Sequence, residues 1–176
     1  KLGYLVHESD VVVSEIYTKP KKKFISFIKE KISQDAVNHN KINKLEIANV
    51  IFSNNKIKKL LERRIHKEVR SSRESFIKKN TKKENKIIFV DIPLLFETGG
   101  NATCDAVAVV SAPFYLQRLR VLGRSGMTAE KFSGILARQM SDLKKRQQAD
   151  FIIPTGLGRR FSLLSIQEII KVVTAR

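Results

Sequence analysis

Short apolar runs alternate along this chain with longer stretches in which apolar residues recur at helical spacing. Ile87, Ile88, Phe89 and Val90 form a run rich in β-branched residues, closed by Asp91 and Pro93, and read as a buried strand. Residues 106–110 (Ala-Val-Ala-Val-Val) read as a second buried strand, and residues 2–6 and 151–153 as two more. Between them the spacing predicts helices. The first covers residues 11–17, with Ser9 and Asp10 as N-cap candidates. A break around Pro20 precedes a helix through Phe24, Ile25, Phe27, Ile28 and Ile32, and Asn38, His39 and Asn40 are turn-like. Residues 42–52 suggest the next helix, residues 57–77 a long amphipathic one, and residues 78–86 a lysine-rich loop into the Ile87 strand. Pro113 fits the start of a helix through Leu116, Leu119 and Val121, which residues 123–127 interrupt. Thr128 caps a helix whose apolar face is Phe132, Ile135, Leu136 and Met140, and residues 166–173 read as a terminal helix. Strands alternating with helices predict an α/β fold, a parallel sheet flanked by helices on both faces. The helical stretch between the first two strands is too long for a simple crossover and is expected to form an inserted subdomain, residues 19–80.

Composition narrows the classes. With 176 residues, 42% of them hydrophobic, the chain suits one domain with a core and a small insertion. No run of about 18 apolar residues occurs, so no membrane span is expected, and the start lacks the long apolar stretch of a signal peptide. A single cysteine, Cys104, excludes an internal disulfide and a multi-cysteine metal site, and a reducing, cytoplasmic setting fits best. The net charge of +17 allows a polyanionic partner. No readout motif or aromatic stacking set accompanies it, so a solvated surface is favoured over nucleic acid, and a phosphate-rich small molecule would also suit a basic cleft.

Polar residues at the carboxyl ends of central strands face the ligand crevice of α/β proteins, which singles out Asp91 and the turn behind it. The stretch Asp-Ile-Pro-Leu-Leu-Phe-Glu, residues 91–97, resembles the motif after a central strand in dephospho-CoA kinases. Residues 2–10 (Leu-Gly-Tyr-Leu-Val-His-Glu-Ser-Asp) are similar to that family's second strand and the aspartate behind it. Residues 50–54, 60–62 and 65–66 resemble its helical substrate domain, and Gln139, Lys145, Ala149, Asp150 and residues 151–153 its closing segment. The resemblance covers nearly the whole chain and lies in the joint order of these motifs.

The resemblance implies a P-loop NTP hydrolase-like kinase fold with a helical substrate subdomain and a lid over residues 115–145. It implies ATP and Mg²⁺ as cofactors, and ATP-dependent phosphorylation of the 3′-hydroxyl of dephospho-CoA, the final step of coenzyme A biosynthesis. Asp10 would accept the hydroxyl proton and orient the oxygen for in-line attack; by itself an aspartate there reads as a helix cap. Arg124, in a glycine-flanked loop, would close over the phosphates, helped by Arg118, because guanidinium forks neutralise the spreading charge of the transferring group, whereas Arg120 reads as a solubility charge on the helix face. Asp91, with Pro93 and Leu94 shaping the crevice, would serve the acceptor, Asp91 orienting it or reaching Mg²⁺ through water. His66 would be a contact in the substrate domain, and Gln139 and Lys145 would lie on the nucleotide side. Ser14 stands where the family usually has arginine, Lys67 follows His66 in place of proline, and Pro154-Thr155-Gly156 stands where Asn-x-Gly meets adenine.

One part of the machinery is missing. No Gly-x-x-x-x-Gly-Lys-Ser/Thr occurs, the loop whose amides, lysine and hydroxyl hold nucleotide phosphates and Mg²⁺. One strand, that loop and one helix, on the order of 25–30 residues, are expected ahead of Lys1, and the chain as given is expected to be inactive. Two other readings remain: a basic nucleic-acid-binding module, and a related phosphotransferase with another nucleotide acceptor.

Overall fold

Gly3 has a left-handed φ of 78°, which no strand residue adopts, so the first strand forms after it rather than across residues 2–6. The computed structural model describes residues 2–81 and 87–175. It divides into two compact units, Lys1–Ile92 and Pro93–Arg176.

In the first unit the elements are β1 (Leu5–Glu8), α1 (Ser9–Thr18), α2 (Lys22–Lys31), β2 (Val37–Asn38), β3 (Lys41–Ile42), α3 (Lys44–Ser53), α4 (Asn55–Thr81) and β4 (Ile88–Asp91). β1 and β4 pair in parallel, from Leu5 opposite Ile88 to Glu8 opposite Asp91. β2 and β3 form a minimal antiparallel hairpin whose two turn residues, His39 (φ 46°) and Asn40 (φ 62°), are both left-handed. That is the geometry of a type I′ turn, which asparagine tolerates well. Ile42 therefore ends the hairpin instead of opening a helix. α3 starts behind Asn43, whose Oδ1 accepts from the backbone N–H groups of Leu45 (3.1 Å) and Glu46 (3.3 Å). α4 runs for 27 residues, so residues 78–81, expected in a loop, are helical; residues 82–86 lie outside the described part.

The core of this unit sits among its helices. Phe24, Ile28 and Ile32 from the α2 segment bury against Ala36, Ile47 of α3 and Leu61 of α4, with Tyr17, Phe27 and Ile65 packed around them. Tyr17 meets Phe24 edge to face at 5.9 Å. Each buried Phe, Ile or Leu side chain of this set contributes roughly 1.5–3 kcal/mol, so packing, not propensity, holds the basic helices in place.

The second unit contains a 3₁₀ turn (Gly100–Thr103), β5 (Ala108–Ser111), α5 (Phe114–Leu122), α6 (Ala129–Leu136), α7 (Asp142–Gln148), β6 (Phe151–Pro154) and α8 (Arg159–Thr174). β5 and β6 are parallel, from Ala108 opposite Phe151 to Ser111 opposite Pro154. Asp150 fixes their entry. Its carboxylate accepts from the Val107 N–H at 2.8 Å, while the N–H groups of Asp150 and Phe151 donate to the Val107 carbonyl. Thr128 and Ser141 cap α6 and α7 through their side chains. α8 begins well before residue 166, directly behind Gly158, whose φ of 95° turns the chain out of β6. The architecture is α/β, parallel strand pairs flanked by helices, as the alternation predicts.

Candidate functional site

The first cluster lies at the carboxyl end of the β1–β4 pair. Asp91 is the last residue of β4 and stands opposite Glu8, the last of β1; Asp10 follows two residues later in the first turn of α1. All three carboxylates are exposed, and no described residue forms an ion pair with any of them. The end of a parallel pair thus presents three acidic groups to solvent, where α/β proteins place ligand-facing residues. Asp10 also stands at the amino end of a helix, where a negative side chain is favoured.

Ser9 and Asp10 do not cap α1, as their position suggests. The cap is Glu8, without a side-chain bond, and Ser9 lies inside the helix. The Ser9 hydroxyl donates instead to the backbone carbonyl of Asp91 at 2.7 Å. Beneath it His7 is 5% exposed, with its Nε2 3.2 Å from the Ser72 Oγ of α4 and its ring 5.5 Å from Phe76. Its Nδ1 is buried and makes no side-chain hydrogen bond among the described residues. Burial, and secondarily the charge of Arg73, holds the His7 imidazole below its ordinary pKa, against a smaller opposing effect of a backbone hydrogen bond. His66 is exposed on α4.

In the second unit Pro93 and Leu94 open the turn after β4, and Leu94 adopts a left-handed φ of 56°. Glu97 closes that turn. Its Oε1 accepts from the Met140 N–H at 2.8 Å and pairs with the Lys145 Nζ at 3.0 Å. Burial pushes the Glu97 carboxyl up, but backbone donors at Glu97 and Met140 and the Lys145 ammonium outweigh it and hold the carboxyl below its usual range. Lys145, expected on the nucleotide side, is thereby tied to the residues 91–97 motif. Gln139 is exposed in the turn between α6 and α7, one residue before the N–H that Glu97 receives.

Arg118 is exposed on α5, and Arg124 is exposed in the loop that follows, where its N–H donates to the Val121 carbonyl and its carbonyl accepts from Met127. Arg120, which reads from sequence as a solubility charge, is a structural tether. Its guanidinium donates to the Thr155 Oγ1 (3.1 Å) and to the Thr155 carbonyl (2.8 Å). Thr155 in turn donates from its N–H and hydroxyl to the Ser111 carbonyl, and the Ser111 hydroxyl donates to the Asp142 carboxylate at 2.8 Å. These bonds border a cleft of about 400 Å³ lined by Arg120, Thr155, Gly158, Arg159, Ser162 and Leu163. Periodicity gives no hint of it, because its residues come from two helices and the loop after β6; its sequence signal is the stretch Pro154-Thr155-Gly156 that the resemblance singles out.

Among the described residues no group of three or more His, Cys, Asp or Glu is suited to a metal ion, and no described helix is long and apolar enough to cross a membrane.

Comparison with known proteins gives the family and the fold. The family model described as dephospho-CoA kinase matches residues 1–157. The chain is 37% identical over 168 residues to a dephospho-CoA kinase of Mesorhizobium japonicum, spanning 96% of this chain and 83% of that protein. It is 38% identical over 154 residues to one of Bartonella quintana, spanning 88% and 77%. A solved structure of a dephospho-CoA kinase from Campylobacter jejuni superposes with a TM-score of 0.70 at 24% identity, covering 99% of this chain and 87% of that one. A crystal structure from Thermus thermophilus gives 0.71, also at 24% identity, covering 97% and 84%. The solved structures share the fold, and the family match and the relatives carry the assignment: this chain belongs to the dephospho-CoA kinase family.

Proposed function

We propose that this protein transfers the γ-phosphoryl group of ATP to the ribose 3′-hydroxyl of dephospho-CoA. The observation that carries the reading is the pair Asp10 and Asp91 at the carboxyl end of two adjacent parallel strands, in a chain of this family. Asp10 accepts the hydroxyl proton and aligns the acceptor oxygen; Asp91 orients the acceptor beside it. Catalysis of this kind is positioning and electrostatic stabilisation, without a covalent intermediate. Arg118 and Arg124 supply positive charge to the transferring group. Pro93 and Leu94 shape the acceptor crevice, and His66 and α4 contribute to the substrate side. Gln139 and Lys145 serve the nucleotide side. The cleft beside Thr155, at the position where the family resemblance puts the adenine contact, takes the base of ATP. The exposed carboxylates fit Mg²⁺ held chiefly by substrate phosphates and water rather than by a protein cage.

These 176 residues contain no glycine-rich phosphate loop. In the native gene product, ADP release should depend on dephospho-CoA and not on nucleoside monophosphates. Release driven by a nucleoside monophosphate would move the assignment to a sister phosphotransferase, and salt-sensitive RNA binding without a response to dephospho-CoA would favour a polyanion-binding module.

A further inference from the structure

We propose that Ser9 is a positioning residue for this reaction, tying together the two strand ends that carry Asp10 and Asp91. The proposal rests on the functional reading above. The β1–β4 ladder ends with Glu8 opposite Asp91, because the chain turns into α1 at Ser9. The Ser9 hydroxyl adds one more rung from its side chain, donating to the Asp91 carbonyl at 2.7 Å, the usual length for a hydroxyl donor. The donor residue is 6% exposed, so its hydroxyl has little water to turn to in place of that carbonyl. A serine at the start of a helix ordinarily serves the helix's own N–H groups, whereas here the α1 cap makes no side-chain bond and the hydroxyl is committed across the sheet. The acceptor of the bond is the backbone of Asp91 itself, and the donor is the residue next to Asp10. The bond therefore extends the ladder in fixing the backbone from which the two carboxylates project, at the place where a shift of about 1 Å can cost on the order of 100-fold in rate.

The test is a double-mutant cycle in the native gene product, reading kcat and KM for dephospho-CoA, with the thermal midpoint of each variant checked to lie above the assay temperature. Ser9→Ala retains a good helix former and is expected to fold. Its kcat should fall about 10- to 100-fold, with KM for dephospho-CoA changed by less than about threefold. In an Asp10→Asn background the same substitution should cost much less, because a residue that acts through Asp10 has little left to position. A kcat within about twofold of the unsubstituted protein, or an undiminished loss in the Asp10→Asn background, would overturn the role of Ser9. Absence of dephospho-CoA turnover in the unsubstituted protein would instead overturn the functional reading and the Ser9 proposal with it.

Discussion

Asp10 bears most of the chemistry proposed at the level of single residues. Replacing it by asparagine keeps shape and hydrogen bonding but removes the proton acceptor. In the native gene product Asp10→Asn should lower kcat roughly 100-fold or more while leaving dephospho-CoA affinity nearly unchanged; near-normal turnover would remove Asp10 from the mechanism. His7 sets a different expectation. Its folded-state pKa lies below the ordinary value, so below about pH 6.5 the unfolded chain binds this proton more readily than the folded one. Stability linked to His7 is complete above that value and is lost as pH falls toward the folded pKa. Urea midpoints should drop between pH 7.5 and 5.5, and His7→Gln should flatten part of that drop; an unchanged slope would contradict the burial argument. Asp10, Asp91 and Arg124 stand out in the sequence because acids behind strands and arginines beside glycines carry recognisable patterns. Ser9 and Arg120 were legible only as a cap and a solvated charge. Their real partners, Asp91 and Thr155, are 82 and 35 residues away, and no local spacing encodes such bonds.

At the level of elements, strong periodicity was readable and capping chemistry only in part. The 27-residue α4 and the strands announce themselves through their apolar positions, but the strands expected to be buried are largely half-buried or exposed, with Val6 and Val110 open to solvent. α7 does not, since Asp-Leu-Lys-Lys-Arg-Gln-Gln has one apolar residue, and its position is set by the Ser141 cap, the Ser111–Asp142 bond and the Lys145–Glu97 pair. The late start of β1 follows from Gly3, and the late start of α3 from the hairpin that absorbs Ile42. Asn43 joins that hairpin to α3 with two side-chain bonds. Asn43→Ala should lower unfolding free energy by about 1 kcal/mol, read from urea denaturation, while Asn43→Asp should retain most of it. Equal stability of the alanine variant would mean that packing of Ile47 alone fixes the helix start.

Over the whole molecule, the alternation of strands and helices and the order of the motifs pointed to an α/β kinase, and the fold and relatives agree. The net charge of +17 was the ambiguous quantity, because composition alone does not say whether cations bind a ligand or water. The structure ties individual cations to named carboxylates and carbonyls, as with Lys145 and Arg120, and leaves Arg118 and Arg124 exposed. Those two arginines are the ones assigned to the transferring phosphate. The central claim concerns where that phosphate goes. The most direct measurement is the product formed by the native gene product from ATP and dephospho-CoA, identified by mass and by its phosphorus NMR spectrum. Coenzyme A carrying the new phosphate on the ribose 3′-oxygen is the predicted product; ATP consumed without phosphorylation of dephospho-CoA, or phosphate attached elsewhere, would contradict the account.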